Sequence, residues 1–178
     1  LLLAHQAVYK TEYDHSFLPL LLEYLEESPL LKIPAIAIYY HCYRALTEDD
    51  EWHFQQLKSF FESHGQYYSP DEARSILMLA LNFCIRKTNL GAKEFTAEAF
   101  SLYQLGVENG ILLENGILSR FTYKNIVTLG LYLKRFDWVE NFIHSSHHQL
   151  EKPYQKSFFN YNLARFYFTK KDYSAAME

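Results

Sequence analysis

Several groups of side chains in this 178-residue chain have the types and spacings that do chemistry. Glu140, His144 and His148 stand at i, i+4 and i+8, with His147 beside them, so on a continuous helix they share one face. Histidines one turn apart can share a divalent metal. The trio is the candidate metal site, but it supplies too few ligands for a closed shell on the outer face of its helix, and no metal is expected. Glu48-Asp49-Asp50-Glu51 concentrates four carboxylates. Placed at a helix start they oppose the positive end of the dipole, and that is how they are read, with Thr47 as the cap. Glu12-x-x-His15 has half of a di-iron motif, and no second Glu-x-x-His follows to complete it. Cys42 and Cys84 lie within apolar helical runs and read as buried thiols, with an inter-helix disulfide as the alternative. Gly-x-Ser-x-Gly, a phosphate-cradling glycine loop and His-Glu-x-x-His do not occur. With no reacting group nominated, the chain is not read as an enzyme, and no cofactor is expected.

Composition narrows the remaining classes. Hydrophobic residues make up 49% and charged ones 21%, which is the profile of an ordered chain with material for a core. Aromatics reach 17%, through 15 Tyr, 14 Phe and 2 Trp. That exceeds what a core needs and predicts rings on exposed or groove surfaces, where Tyr is at home half-wet. The net charge of −4, with Lys and Arg scattered, argues against a sequence-independent grip on nucleic acid. The apolar run Leu18 to Leu22 is broken by Pro19, and no run in the chain approaches the roughly 20 residues of a membrane span. The chain opens on Leu1-Leu2-Leu3 and stops at Glu178 early in an expected helix, so it reads as a piece of a longer protein. A cytoplasmic setting is expected.

The elements that would position these groups are helices throughout. Phe17, Leu18, Leu21, Leu22 and Leu25 recur at helical spacing, and Ser28-Pro29 closes that helix. Pro34 opens the next, with a stripe of Ile36, Tyr39, Tyr40, Tyr43 and Leu46. Leu57, Phe60 and Phe61 mark a third, ending in a glycine cap at His64-Gly65. Ser69-Pro70-Asp71-Glu72 has the form of a capping box, ahead of Ala73, Ile76, Leu77, Ala80 and Cys84. Phe95, Ala99, Leu102 and Tyr103 form the return helix. The segment 110–118 carries two turn dipeptides, Asn109-Gly110 and Asn115-Gly116, and is read as a loop whose apolar residues pack back, with a helical turn or small hairpin as alternatives. Ile126, Leu129, Gly130 and Leu133, then Trp138, Val139, Phe142 and Ile143, make another pair before the break at Lys152-Pro153.

An acid followed by an aromatic recurs after short polar breaks, at Glu12-Tyr13, Glu51-Trp52, Glu94-Phe95, Asp137-Trp138 and Asp172-Tyr173. Read back from Tyr173 the aromatic spacings are 35, 43, 43 and 39 residues, the range of two-helix repeats. An offset of 35 sets Asn125 on Asn160, Tyr132 on Tyr167 and Leu133 on Phe168. The acid suits the first turn of the second helix, and the ring beside it is expected to plug the wedge between the two helices. The predicted fold is all-α, an α-α superhelix of stacked antiparallel pairs over 1–28, 33–65, 70–110, 119–150 and 153–178, forming one repeat domain over 1–178.

Leu163-Ala164-x-x-Tyr167-x-x-x-Lys171-Asp172-Tyr173-x-x-Ala176 resembles the tetratricopeptide repeat pattern of Leu, small residue, Tyr, Gly, Asp-Tyr and Ala. It departs at Lys171, where the family has Gly, and at Asn160, where it has a large aromatic. Leu129-Gly130 to Trp138 is a looser copy, with Asn141 in place of the small residue. The resemblance implies a tetratricopeptide-like solenoid whose first helices line a concave groove for a protein or peptide. Its groove positions fall on Tyr161, Asn162, Arg165 and Thr169 in the last repeat, and on Ile126, Val127, Gly130 and Lys134 in the one before. The carboxylate-clamp subset is unmatched, because Tyr161 and Arg165 stand where it has Lys and Asn. The expected function is therefore a scaffold for protein or peptide partners. RNA binding by 35-residue repeats and a regulatory or sensor segment of a larger protein are the alternatives.

Overall fold

The computed structural model describes residues 16–177, the side chain of Gln66 excepted. Residues 1–15 of the expected pair over 1–28, with Glu12-Tyr13 and Glu12-x-x-His15, lie outside the described residues. Within them the chain is all-α, with eight α-helices, short 3-10 turns and one two-stranded hairpin. It divides into two compact units, Leu1–Gly91 and Ala92–Glu178.

The first unit contains α1 (Leu18–Glu27), α2 (Pro34–Glu48), α3 (Glu51–His64) and α4 (Pro70–Asn89). Helix α2 packs on both α3 and α4, and α3 packs on α4. Its core is Ala37, Ile38 and Ala45 of α2, Phe54, Leu57 and Phe61 of α3, and Ile76, Leu77, Ala80 and Cys84 of α4. Phe54 stacks on Phe83 at 4.7 Å. The stripe expected on α2 is only half right. Ile36, Tyr39, Tyr43 and Leu46 are half-buried, and the tightly packed face is the one with the smaller Ala37, Ala45 and Cys42. A helix apolar on all sides offers two candidate faces, and the small residues let neighbouring helices come closer. Helix α1 buries none of its residues.

Start and stop signals follow local chemistry, with two corrections. Ser69 and Glu72 form the reciprocal capping box as read. Thr47 is not a cap: its hydroxyl donates to the Tyr43 carbonyl inside α2. Asp49 turns left-handed at φ 57 and ends α2, and extended Asp50 caps α3 by accepting from the amides of Trp52 and His53. His64-Gly65 is no left-handed glycine cap either, since Gly65 has φ −54 and the chain runs on into a 3-10 turn at Gly65–Tyr67.

The second unit holds α5 (Glu94–Glu108), β1 (Leu113–Glu114), β2 (Ile117–Leu118), α6 (Arg120–Tyr132), α7 (Phe136–Ser146) and α8 (Gln155–Lys170). Helix α6 packs on α5, α7 and α8, and α7 packs on α8. Segment 110–118 is the hairpin rather than the favoured loop, with Leu113 opposite Leu118 and Glu114 opposite Ile117. Asn115 and Gly116 have φ 53 and 78, the two positive angles of a type I′ turn, which matches the twist of paired strands. Its apolar residues do pack back, since Leu112 and Leu118 are buried.

Gly130 allows the closest approach in this unit: a Cβ there would stand 2.3 Å from Cγ2 of Val139 and 2.9 Å from Cε2 of Phe100. Helices α6 and α8 end alike. Lys134 donates to the Leu131 carbonyl and Arg135 to Gly130, while Lys171 donates to Phe168 and Asp172 to Tyr167. Both are Schellman motifs, and both put lysine in the left-handed position, at φ 56 and 66. Lys171 therefore adopts the conformation that glycine would supply. After it, the chain forms a 3-10 turn at Ala175–Met177, with Asp172 Oδ1 accepting from the Ala175 amide, in place of the expected α-helical start.

Candidate functional site

The residues expected on a concave face do not end up in one place. Ile126, Val127 and Gly130 are buried in the core of the second unit, and Asn162 is fully buried with its amide donating to the Phe158 carbonyl. These four are corrected, as interior residues: α6 is flanked by α5, α7 and α8, and α8 packs on α6 and α7, so the faces that a lone helix pair would expose are covered. Lys134 is exposed, at the left-handed end of α6.

Tyr161, Arg165 and Thr169 remain on the solvent side of α8. Tyr161 and Arg165 line a cleft of about 390 Å³ with Ala164, Phe168, Tyr173 and Met177. Tyr161 is 59% exposed and Phe168 65%. Tyr173 stands edge-on to Phe168, their centroids 5.5 Å apart. Arg165 is braced at the back of the cleft, where Nη1 donates to Thr128 Oγ1 at 2.9 Å. Thr169 closes the next turn by donating to the Arg165 carbonyl.

The repeated aromatics occupy different settings. Phe95 is buried, Trp138 lies between Phe100 and Phe142 at 5.1 and 5.3 Å, and Trp52 and Tyr173 are more than half exposed. The common wedge role fails because Trp52 and Tyr173 keep more than half of their surface in solvent and stand edge-on to neighbouring rings, His41 and His53 in one case and Phe168 in the other.

The metal trio does not assemble. Helix α7 ends at Ser146, and His147–Gln149 form a 3-10 turn that carries His148 off the i+8 position. His144 and His147 instead pack against Phe159, at 5.3 and 4.7 Å. No group of three or more metal-ligating side chains occurs among the described residues. The acid run is likewise divided among structural tasks. Glu48 pairs with Arg44, Asp50 caps α3, and Asp49 and Glu51 take Lys87 at 3.2 and 2.8 Å. Arg86 adds a bridge to Asp49 and donates to the Ala45 and Leu46 carbonyls, so the end of α4 closes the end of α2. Cys42 and Cys84 are buried thiols, and burial pushes Cys42 up to about 12, where it stays protonated and unreactive.

Two features escaped the sequence reading. The first is a pair of histidines: Nδ1 of His41 and Nδ1 of His53 lie 2.8 Å apart. One ring must donate and the other accept, so the neutral pair needs opposite tautomers. Burial, and then the neighbouring His53, push His41 down to about 4, and burial also lowers His53. Phe60 stacks on His41 at 5.7 Å, while Tyr40 donates to Glu26 at 2.8 Å. A histidine on each side of a helix turn, 12 residues apart, was the available signal. The second is a tyrosine-lined cleft of about 420 Å³ at the start of α2 and α4, holding Tyr39, His64, Tyr67, Tyr68 and Glu72.

No family model, curated protein or solved structure matches this chain. No helix among the described residues is long and apolar enough to cross a membrane.

Proposed function

We propose that this chain is a tetratricopeptide-like helical-repeat scaffold that binds a peptide or helix of a partner protein, without catalysis. The observation that carries it is the cleft on α8. Tyr161, Phe168, Tyr173 and Met177 leave large apolar surfaces open to solvent around a guanidinium already held in place by Thr128. Aromatic and arginine side chains grouped in this way are the usual anchors of protein interfaces, and an exposed apolar cluster is costly to keep without a use. The repeat reading is supported by the matched Schellman ends of α6 and α8, and by packing in which α2 meets α4 and α6 meets α8 as well as their neighbours in the chain. The occupant favoured is an amphipathic segment presenting an apolar anchor beside a carboxylate, which Arg165 would pair.

The test is selection from a displayed library of helical peptides, followed by titration of the winners against the Tyr161→Ser, Phe168→Ser and Arg165→Ala variants. Convergent winners that bind these variants roughly tenfold or more weakly, as expected for the loss of anchor residues, support the reading. Winners that are indifferent to all three variants, or no convergence at all, refute it.

A further inference from the structure

The cleft at the start of α2 and α4 has a lining that selects for charge. Tyr39, Tyr67, Tyr68 and His64 line it with aromatic rings, and Tyr67 is 77% exposed. Glu72 supplies a carboxylate. Its Oε2 is taken by the capping box, at 2.9 Å from Ser69 Oγ, while Oε1 meets only the Tyr39 hydroxyl among the described residues, at a long 3.4 Å. The Tyr68 hydroxyl is buried and has no hydrogen-bond partner among the described residues. A buried hydroxyl left without a partner is destabilising, so a ligand donor that reaches it on binding is favoured.

An anion is the obvious competitor, because two helix N-termini open here. Their donors are largely spent. Pro34 and Pro70 have no N–H, the Ile36 and Ala37 amides donate to the Ile33 carbonyl, and the Glu72 and Ala73 amides donate to Ser69. An anion would also meet the full charge of Glu72. A cation meets that charge favourably, and the electron-rich faces of tyrosine attract it further.

We propose that this cleft binds an alkylammonium group bearing at least one N–H, of the kind a lysine side chain presents. The ammonium sits among Tyr39, Tyr67 and His64, donates to Glu72 Oε1 and to the Tyr68 oxygen, and lays its methylene stem against Ile33. The volume of about 420 Å³ is that of a small-molecule site. The proposal does not depend on the α8 cleft, which lies in the other unit.

The test is calorimetric titration of the whole chain with Nα-acetyl-lysine methylamide, and with the norleucine analogue, which keeps the stem and lacks the charge. Saturable lysine binding is expected, with the norleucine analogue roughly tenfold weaker, and a similar loss on Tyr67→Ala or Glu72→Gln, in line with a partly desolvated cation–π and ion-pair contact. Gln serves the capping box as Glu does, so Glu72→Gln keeps α4 intact. Tyr68→Phe removes the orphaned oxygen and weakens binding without unfolding the chain. Butylammonium alone, run in parallel, separates a free amine from a peptide side chain. If it binds as well as the amide, the source is a free amine; if only the amide binds, the source is a peptide. Equal affinity for the norleucine analogue, indifference to Glu72→Gln, or no saturation with either amine overturns the proposal.

Discussion

Acidification probes the His41–His53 contact directly. His41 titrates near 6.5 when unfolded and at about 4 in the folded chain, because burial and then His53 disfavour its charge. Between those values the unfolded state binds more protons than the folded one, so stability falls as pH falls through that window. At about 1.4 kcal/mol per pKa unit, the full shift corresponds to about 3 kcal/mol, of which about 2 kcal/mol is gone by pH 5. His53 adds in the same direction, although the nearby Asp50 and Glu48 carboxylates partly restore its charge. The pair tolerates one proton, with an imidazolium donating to a neutral ring. A second proton turns two N–H groups on each other at 2.8 Å. The assay is urea unfolding at several pH values between about 7.5 and 5, comparing the native chain with His41→Phe, which keeps the stack on Phe60. The variant loses His41's share of the slope whatever its absolute stability. Parallel stability–pH curves for the two proteins would refute the assignment.

Gly130→Ala forces α6 away from Val139 and Phe100, and an overpacked core of this kind costs about 3 kcal/mol, read as a lower urea midpoint with an unchanged m-value. Lys134→Gly and Lys171→Gly relieve left-handed lysines, and each raises stability by about 1 kcal/mol, or several degrees in Tm; a fall in Tm for both would contradict the Schellman assignment. Asp50→Ala removes the cap of α3 and costs about 1 kcal/mol, whereas Thr47→Ala, which leaves the cap in place, costs less than half of that.

The helical content and most element boundaries were legible because they rest on local signals. Ser69 through Glu72 carries its capping box in four consecutive residues, and the stripe from Ala73 to Cys84 is buried as its spacing predicts. The hairpin at 113–118 was legible as an alternative, since Asn-Gly is the type I′ dipeptide. What misled was choice among near-equals. Thr47 and Asp50 are both capping residues, and the left-handed turn at Asp49 decided between them. His64-Gly65 has the residues of a glycine cap, but the chain turns there with negative φ.

The candidate site divides along the same line. Tyr161 is exposed and Arg165 half-buried, and their placement depends only on which face α8 turns outward. Ile126, Val127 and Asn162 are buried because several helices converge on them, and the number of neighbours a helix will have is not written in its own spacing. By itself the sequence determined an all-α chain of short amphipathic helices, opened by caps and closed by turns, since those signals act within one or two turns of backbone. Only the tertiary structure decided that His41 meets His53, that Glu72 faces three tyrosines, and that the trio of Glu140, His144 and His148 comes apart. Contacts between distant residues depend on how packed helices rotate and how far they run, and one extra 3-10 turn moves a side chain by most of a helical face.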